Sequence, residues 1–123
     1  MYAPTAAPTA YQQSAVLTAP PERLVLMLYD GARRFLLQAA AAMREDQIGR
    51  SHEKLTRAEL ILEELQSTLD MEAGEMAERL EAIYVFCRRH LMEARIERNP
   101  GKVEKVVELL GELREAWAQV AGA

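Results

Sequence analysis

Apolar residues recur along this chain at intervals of three and four, the period of a helix that buries one stripe. Alternating period-2 runs of Val and Ile are absent from the sequence. Four segments carry the pattern. In the first, Leu24, Leu28, Gly31, Phe35, Gln38 and Ala42 are in phase. Pro21 suits the first helical position, where its missing N–H costs nothing, and Pro20 is held out of the helical region by the proline after it. The spacing predicts a helix from Pro21 to about Met43, with Pro20 at a cap position that offers no side-chain acceptor. Gly31 stays in phase with the seam. Close approach of a neighbouring helix backbone is therefore expected there, to offset a cost of about 1 kcal/mol relative to alanine.

A polar break at 44–49 separates this helix from a second, predicted from Gly49 to Leu69. Its seam is Ile48, Leu55, Ala58, Leu62, Leu65 and Leu69, with one turn skipped at Ser51 and His52. "DMEAG" at 70–74 closes it. The third helix is predicted over Glu75 to Glu97, with Met76, Leu80, Ile83, Cys87, Leu91 and Ala94 in phase. "RNPG" at 98–101 reads as a turn. The fourth helix is predicted over Lys102 to Val120, where Val103, Val106, Leu110, Leu113, Trp117 and Val120 repeat without a fault. Short polar connections force neighbouring helices to run up and down. The fold class is all-α: an antiparallel four-helix bundle over residues 17–123. Residues 1–16, "MYAPTAAPTAYQQSAV", lack periodicity and read as a flexible N-terminal arm; the alternative is an arm folded back through Tyr11.

One stripe per helix does not use up the apolar residues. Leu24 to Tyr29 are six in a row, which coats more than one face of a helix. Leu26, Tyr29 and Leu36 on the first helix, Leu60 and Ile61 on the second, and Val107 and Leu109 on the fourth fall outside the seams. On the third, Val85, Met92 and Ile96 form a second stripe, with Phe86 beside it. Partly covered boundary positions are one reading of each. Taken together, the set predicts an apolar patch of the kind that marks a partner site, and an amphipathic segment of another protein would complete it.

Charge and composition narrow the classes. Fifteen Lys and Arg against 19 Asp and Glu give a formal charge of −4, with the signs interspersed. Neither nucleic acid nor an anionic membrane surface is indicated. No apolar run approaches the ~18 residues that span a bilayer, and the N-terminus has neither the basic region nor the apolar core of a signal peptide. The single Cys87 suits a reducing cytoplasm.

Chemistry is sparse. The residues three before His52 and His90 are Gly49 and Cys87, so the Glu-x-x-His pairs of carboxylate di-metal bundles are missing. One Cys and two scattered His do not make a zinc site. No metal site, cofactor site or catalytic residue is expected. Cys87 falls in the seam and reads as a small buried hydrophobe. A histidine phosphotransfer bundle is the alternative of another class, because His52 has Arg50, Lys54 and Arg57 nearby and His90 has Arg88 and Arg89. The glycine expected after histidine and lysine is missing in "SHEKL". A further alternative is a homodimer built on the surplus apolar face.

The segment "QQSAVLTAPPERLVLMLYDGARRFL" at 12–36 resembles the first helix of the flagellin-specific export chaperone family (FliS). "LQSTLDMEAGEMAERLEAIYVFCRRHLMEA" at 65–94 is similar to that family's second loop and third helix, and "LLGELREAW" at 109–117 to its last. The resemblance covers about residues 11 to 118. It implies a small cytoplasmic bundle, without catalytic activity, that binds the disordered C-terminal segment of flagellin one to one. It further implies that the bundle keeps the segment unpolymerised and delivers it to a component of the export gate. The segment would lie in apolar grooves, and the residues assigned to them are Leu26, Tyr29, Leu60, Ile61, Val85, Phe86, Met92, Ile96 and Val107. By the same resemblance Tyr11 is the arm residue that covers part of this surface in the free chaperone. Two departures stand out: Pro20 where the family has Ser or Thr, and Arg95 where it often has Asn.

Overall fold

A computed structural model describes the chain from residue 21 to residue 121, with side-chain burial for 22–119. The arm predicted at 1–16, its Tyr11, the boundary at residue 17, Pro20 and the side chain of Val120 lie outside the described residues. Within them the chain forms four helices: α1 Pro21–Arg44, α2 Ile48–Ser67, α3 Glu75–Glu97 and α4 Pro100–Ala121. A short 3-10 turn, Met71–Ala73, joins α2 to α3.

The helices are long because little interrupts them, and they stop where the backbone turns left-handed. Asp46 follows α1 with φ 59°, and Gln47 N–H then reaches back to Ala42 C=O at 2.8 Å. Arg98 follows α3 with φ 52°, and Asn99 N–H reaches Ala94 C=O at 3.0 Å. Both closures satisfy carbonyls that a helix end leaves open. Gly74 takes φ 92° before α3, a conformation that glycine adopts without strain. The "RNPG" stretch is less of a turn than its composition suggests. Pro100 and Gly101 already belong to α4, and Asn99 caps it, its Oδ1 accepting from Lys102 N–H at 3.3 Å.

Side-chain contacts fix the directions. Gly31 of α1 faces Ile61 of α2, while the two helices meet at the turn 45–47, so they are antiparallel. On α2 and α3, Arg95 binds Glu59 at 2.9 Å and Arg88 binds Gln66 at 3.1 Å, which pairs rising numbers with falling ones. On α1 and α4, Arg114 donates to Asp30 at 2.9 Å, and Arg44 pairs with Glu104. The order around the bundle is therefore α1, α2, α3, α4, with α1 diagonal to α3. The α1 interfaces with α2 and α4 are the more extensive ones. Small residues permit this: Ala32, Ala39, Ala40 and Ala42 of α1 are all buried and let the neighbouring helices close in.

The core consists of Leu36, Leu55, Leu62, Leu65, Leu91, Val103, Val106 and Leu110, with Tyr29, Tyr84 and Cys87 among them. The predicted seams of α2 and α4 hold, except that Ile48 is half exposed. Ser51 fills the skipped turn of α2, its hydroxyl donating to Ile48 C=O at 2.8 Å. On α3, Leu80, Cys87, Leu91 and Ala94 are buried, but Met76 is exposed and Tyr84 takes a core position. The seam of α1 differs most. Tyr29, Ala32, Leu36 and Ala39 are fully buried, while Leu24, Leu28, Phe35 and Gln38 are only half covered. The stripe is rotated by about one residue, or 100°, from its predicted phase. The neighbour at Gly31 is also not a backbone. A Cβ there would stand 3.3 Å from Cδ1 of Ile61, so a side chain occupies the space the glycine leaves.

Candidate functional site

With its core face filled, α3 still presents Val85 at 39%, Met92 at 58% and Ile96 at 77% exposure. Their spacings of seven and four put them on one face of the helix. Arg88 and Arg95 share the flank of α3 that meets α2, so the stripe lies beside the α2–α3 seam, turned outward. Arg95 closes that seam with a fan of bonds: to Glu59 at 2.9 and 3.0 Å, to Thr56 at 3.3 Å and to Nδ1 of His52 at 3.1 Å. An Asn in its place would be too short to reach all three. At its C-terminal end the stripe borders a cleft of about 70 Å³ lined by Met43, Ile48, Leu55, His52, Arg95 and Arg98 among others. The arrangement is an apolar strip ending in a small hydrophobic cleft with cations on its rim, which suits an amphipathic peptide rather than a small polar substrate.

Phe86 is exposed on the opposite flank, toward α4, where its ring stacks on His90 at 5.2 Å. Leu60 is exposed too, but Thr56, Arg57, Glu63 and Glu64 surround it one turn away, so it is isolated on the outer face of α2. Ile61 is half-buried against Gly31. Leu26 is half-buried on the flank of α1 that carries Arg33, which donates to Val107 C=O at 3.1 Å on α4. The fold thus brings together Val85, Met92 and Ile96, with Phe86 close by, and leaves Leu26, Leu60 and Ile61 on other edges.

Two of the predicted surface residues require correction. Tyr29 has no exposed area and Val107 is 7% exposed. Tyr29 belongs to the true α1 seam, and its hydroxyl is shared with that of Tyr84 at 2.5 Å across the bundle diagonal. Val107 packs toward α1 beside Val106 and Leu110. Conversely, Ile48 and Met76, predicted as seam residues, are exposed, as are Met27, Leu37 and Met71. Ile48 joins the cleft. A signal for it existed: an isoleucine at the first position of a helix has too few neighbours to bury it.

Electrostatics point to no reactive group. Burial pushes the Cys87 thiol up to about 12 and holds both tyrosine hydroxyls above the usual phenol range. Among the described residues no group of three His, Cys, Asp or Glu is placed to hold a metal ion, and no helix is long and apolar enough to cross a membrane. The histidines are structural neighbours of charged groups, His52 of Arg95 and His90 of Glu93 at 3.7 Å.

The family model described as "Flagellar protein FliS" matches residues 3–123. A flagellar secretion chaperone FliS of Bacillus subtilis is 38% identical over 111 residues, covering 90% of this chain and 83% of that protein. The Salmonella typhimurium protein of the same description is 33% identical, covering 89% and 82%. That of Escherichia coli is 31% identical, covering 87% and 80%.

Proposed function

The chain belongs to the FliS family of flagellar proteins, and from that premise we infer that it is a secretion chaperone for flagellin, acting in the bacterial cytoplasm without catalysis. It binds the disordered C-terminal segment of flagellin one to one, keeps it from polymerising and hands it to a component of the export gate. The observation that carries this reading is the exposed stripe Val85, Met92 and Ile96 on a helix whose core face is already filled. Flagellin termini that would otherwise bury their apolar faces against one another can bury them here instead. The segment has to order as it binds, which takes back part of the gain and leaves affinity moderate enough for release.

The reading is tested by titrating the protein with a synthetic flagellin C-terminal segment in a calorimeter. A one-to-one complex with a negative heat-capacity change is expected. Met92→Asp and Ile96→Asp place a charge in the contact, and each should weaken binding by about tenfold or more, or at least ~1.4 kcal/mol. Both residues are already exposed, so helicity should be unchanged. Wild-type affinity in both variants would remove the α3 stripe as the docking surface.

A further inference from the structure

On the α1–α2 edge of the bundle, away from the α3 stripe, three cations surround one aromatic ring. The Phe35 ring is half-buried, and Arg34 Cζ, Lys54 Nζ and Arg57 Cζ stand 5.6, 5.5 and 5.7 Å from its centroid. Arg50 lies one turn before Lys54, so Arg50, Lys54 and Arg57 line the same face of α2. Glu53 is the acid that meets this row, 3.6 Å from Lys54 and 3.9 Å from Arg57. Glu45 and Asp46 stand in the turn at its end. Neither Arg34 nor Arg50 forms an ion pair among the described residues. In a chain of formal charge −4, this is a local excess of positive charge gathered on an apolar platform.

Beside the ring, two polar atoms on facing helices are buried and have no hydrogen-bond partner among the described residues: Oε1 of Gln38 and Nε of Arg57. Buried polar atoms of this kind are rare and costly. One is an acceptor and one a donor. A simple inorganic anion would satisfy Arg57 but leave Gln38 without a donor. A peptide offers both, a carboxylate from an acidic side chain and an N–H from its backbone. The N-terminal segment of the chain does not fit, because residues 1–20 contain neither Asp nor Glu.

We propose that the Phe35 face between α1 and α2 is a second docking site, separate from the α3 stripe, and that it takes an acidic peptide segment. The carboxylate lies on Arg57 and Lys54, with Arg34 closing over it, and the backbone N–H is held by Gln38. The site does not depend on the flagellin reading, and its test is independent of that one.

The probe is an acetylated, amidated hexapeptide of alternating Glu and Ala, with its Gln–Ala counterpart as control, added to the full chain. Side-chain Nε–H resonances of arginine report contact directly. The Glu peptide should shift the Arg57 Nε–H signal saturably, bind about tenfold or more tightly than the Gln peptide, and weaken as salt rises. Arg57→Gln should lose about tenfold in affinity. Should that variant unfold, the exposed Arg34→Gln carries the same expectation with a smaller loss. Met92→Asp should leave the peptide bound as in the wild type. An unmoved Arg57 signal, equal binding of the two peptides, or loss of binding in Met92→Asp would each overturn the proposal. So would a shift of the Arg57 signal on concentrating the protein alone, since the occupant would then be a second copy of the chain.

Discussion

At the scale of single residues, the most consequential pair is Tyr29 and Tyr84. Their rings sit 6.5 Å apart at 42°, and their hydroxyls bond to each other inside a core that is otherwise aliphatic. Removing one hydroxyl leaves the other buried without that partner, at about 1–3 kcal/mol, whereas removing both leaves nothing unpaired. The two single changes are not equivalent. The Trp117 side chain also hydrogen-bonds to Tyr29, so Tyr84→Phe leaves Tyr29 with a partner, while Tyr29→Phe strands Tyr84. Urea unfolding should show Tyr29→Phe as the costlier single change, and the double change Tyr29→Phe with Tyr84→Phe as cheaper than the sum of the two. Additive losses would mean the hydroxyls do not depend on each other. This pair was hidden in the sequence for a physical reason. Six consecutive apolar residues fit every phase of a helix, so the seam of α1 has to be read from the residues downstream. Ala32, Leu36 and Ala39 continue from Tyr29 at spacings of three and four, but alanines carry little weight beside Leu24, Leu28 and Phe35.

At the scale of the elements, the junction between α3 and α4 packs two opposing effects into neighbouring residues. Arg98 is held left-handed at φ 52°, a conformation that costs a residue with a Cβ about 1–2 kcal/mol relative to the right-handed helix. Asn99 next to it caps α4. Arg98→Gly should therefore raise stability by about 0.5–1 kcal/mol, after the entropy glycine gains in the unfolded chain. Asn99→Ala should lower it by about 1 kcal/mol. Thermal or urea unfolding reads both, and a loss in Arg98→Gly would mean that its side chain, which lines the cleft, holds the junction together. Helix ends were legible where punctuation was strong. Gly74 and Arg98 bracket α3 over the predicted range of Glu75 to Glu97. The start of α4 was misplaced because Asn-Pro-Gly reads as a turn and also as a cap followed by the first helical residues. The α3 stripe was legible because its seam leaves Val85, Met92 and Ile96 no other place. Leu26, Ile61 and Val107 could not be sorted in advance, because boundary positions are covered or bare according to which neighbour approaches, and Gly31 draws Ile61 inward.

At the scale of the whole molecule, a closed core separates two working edges, and alkaline titration tests the closure. Cys87, Tyr29 and Tyr84 are all held neutral by burial in the folded chain. In the unfolded chain they ionise near their ordinary values, about 8.5 for the thiol and about 10 for the phenols. A raised folded pKa on an acid keeps its stabilising contribution below the unfolded pKa and loses it above, because only the unfolded chain then gives up the proton. Lys102, kept charged by Glu97 and Glu93, acts in the same direction above the usual lysine range. The urea midpoint should be level between about pH 7 and 8, begin to fall as the thiol titrates, and fall steeply beyond about pH 10, each group contributing up to ~1.4 kcal/mol per pH unit. Cys87→Ala should delay the onset and Tyr84→Phe should soften the steep part. In the native protein at pH 8, a maleimide should label Cys87 far more slowly than it labels the urea-unfolded chain. The same rate with a saturating flagellin segment bound would place the client on a surface already built. Labelling that speeds up on binding would mean that the client enters by prising α3 from the core, and the exposed stripe would then be an entry point instead of the dock.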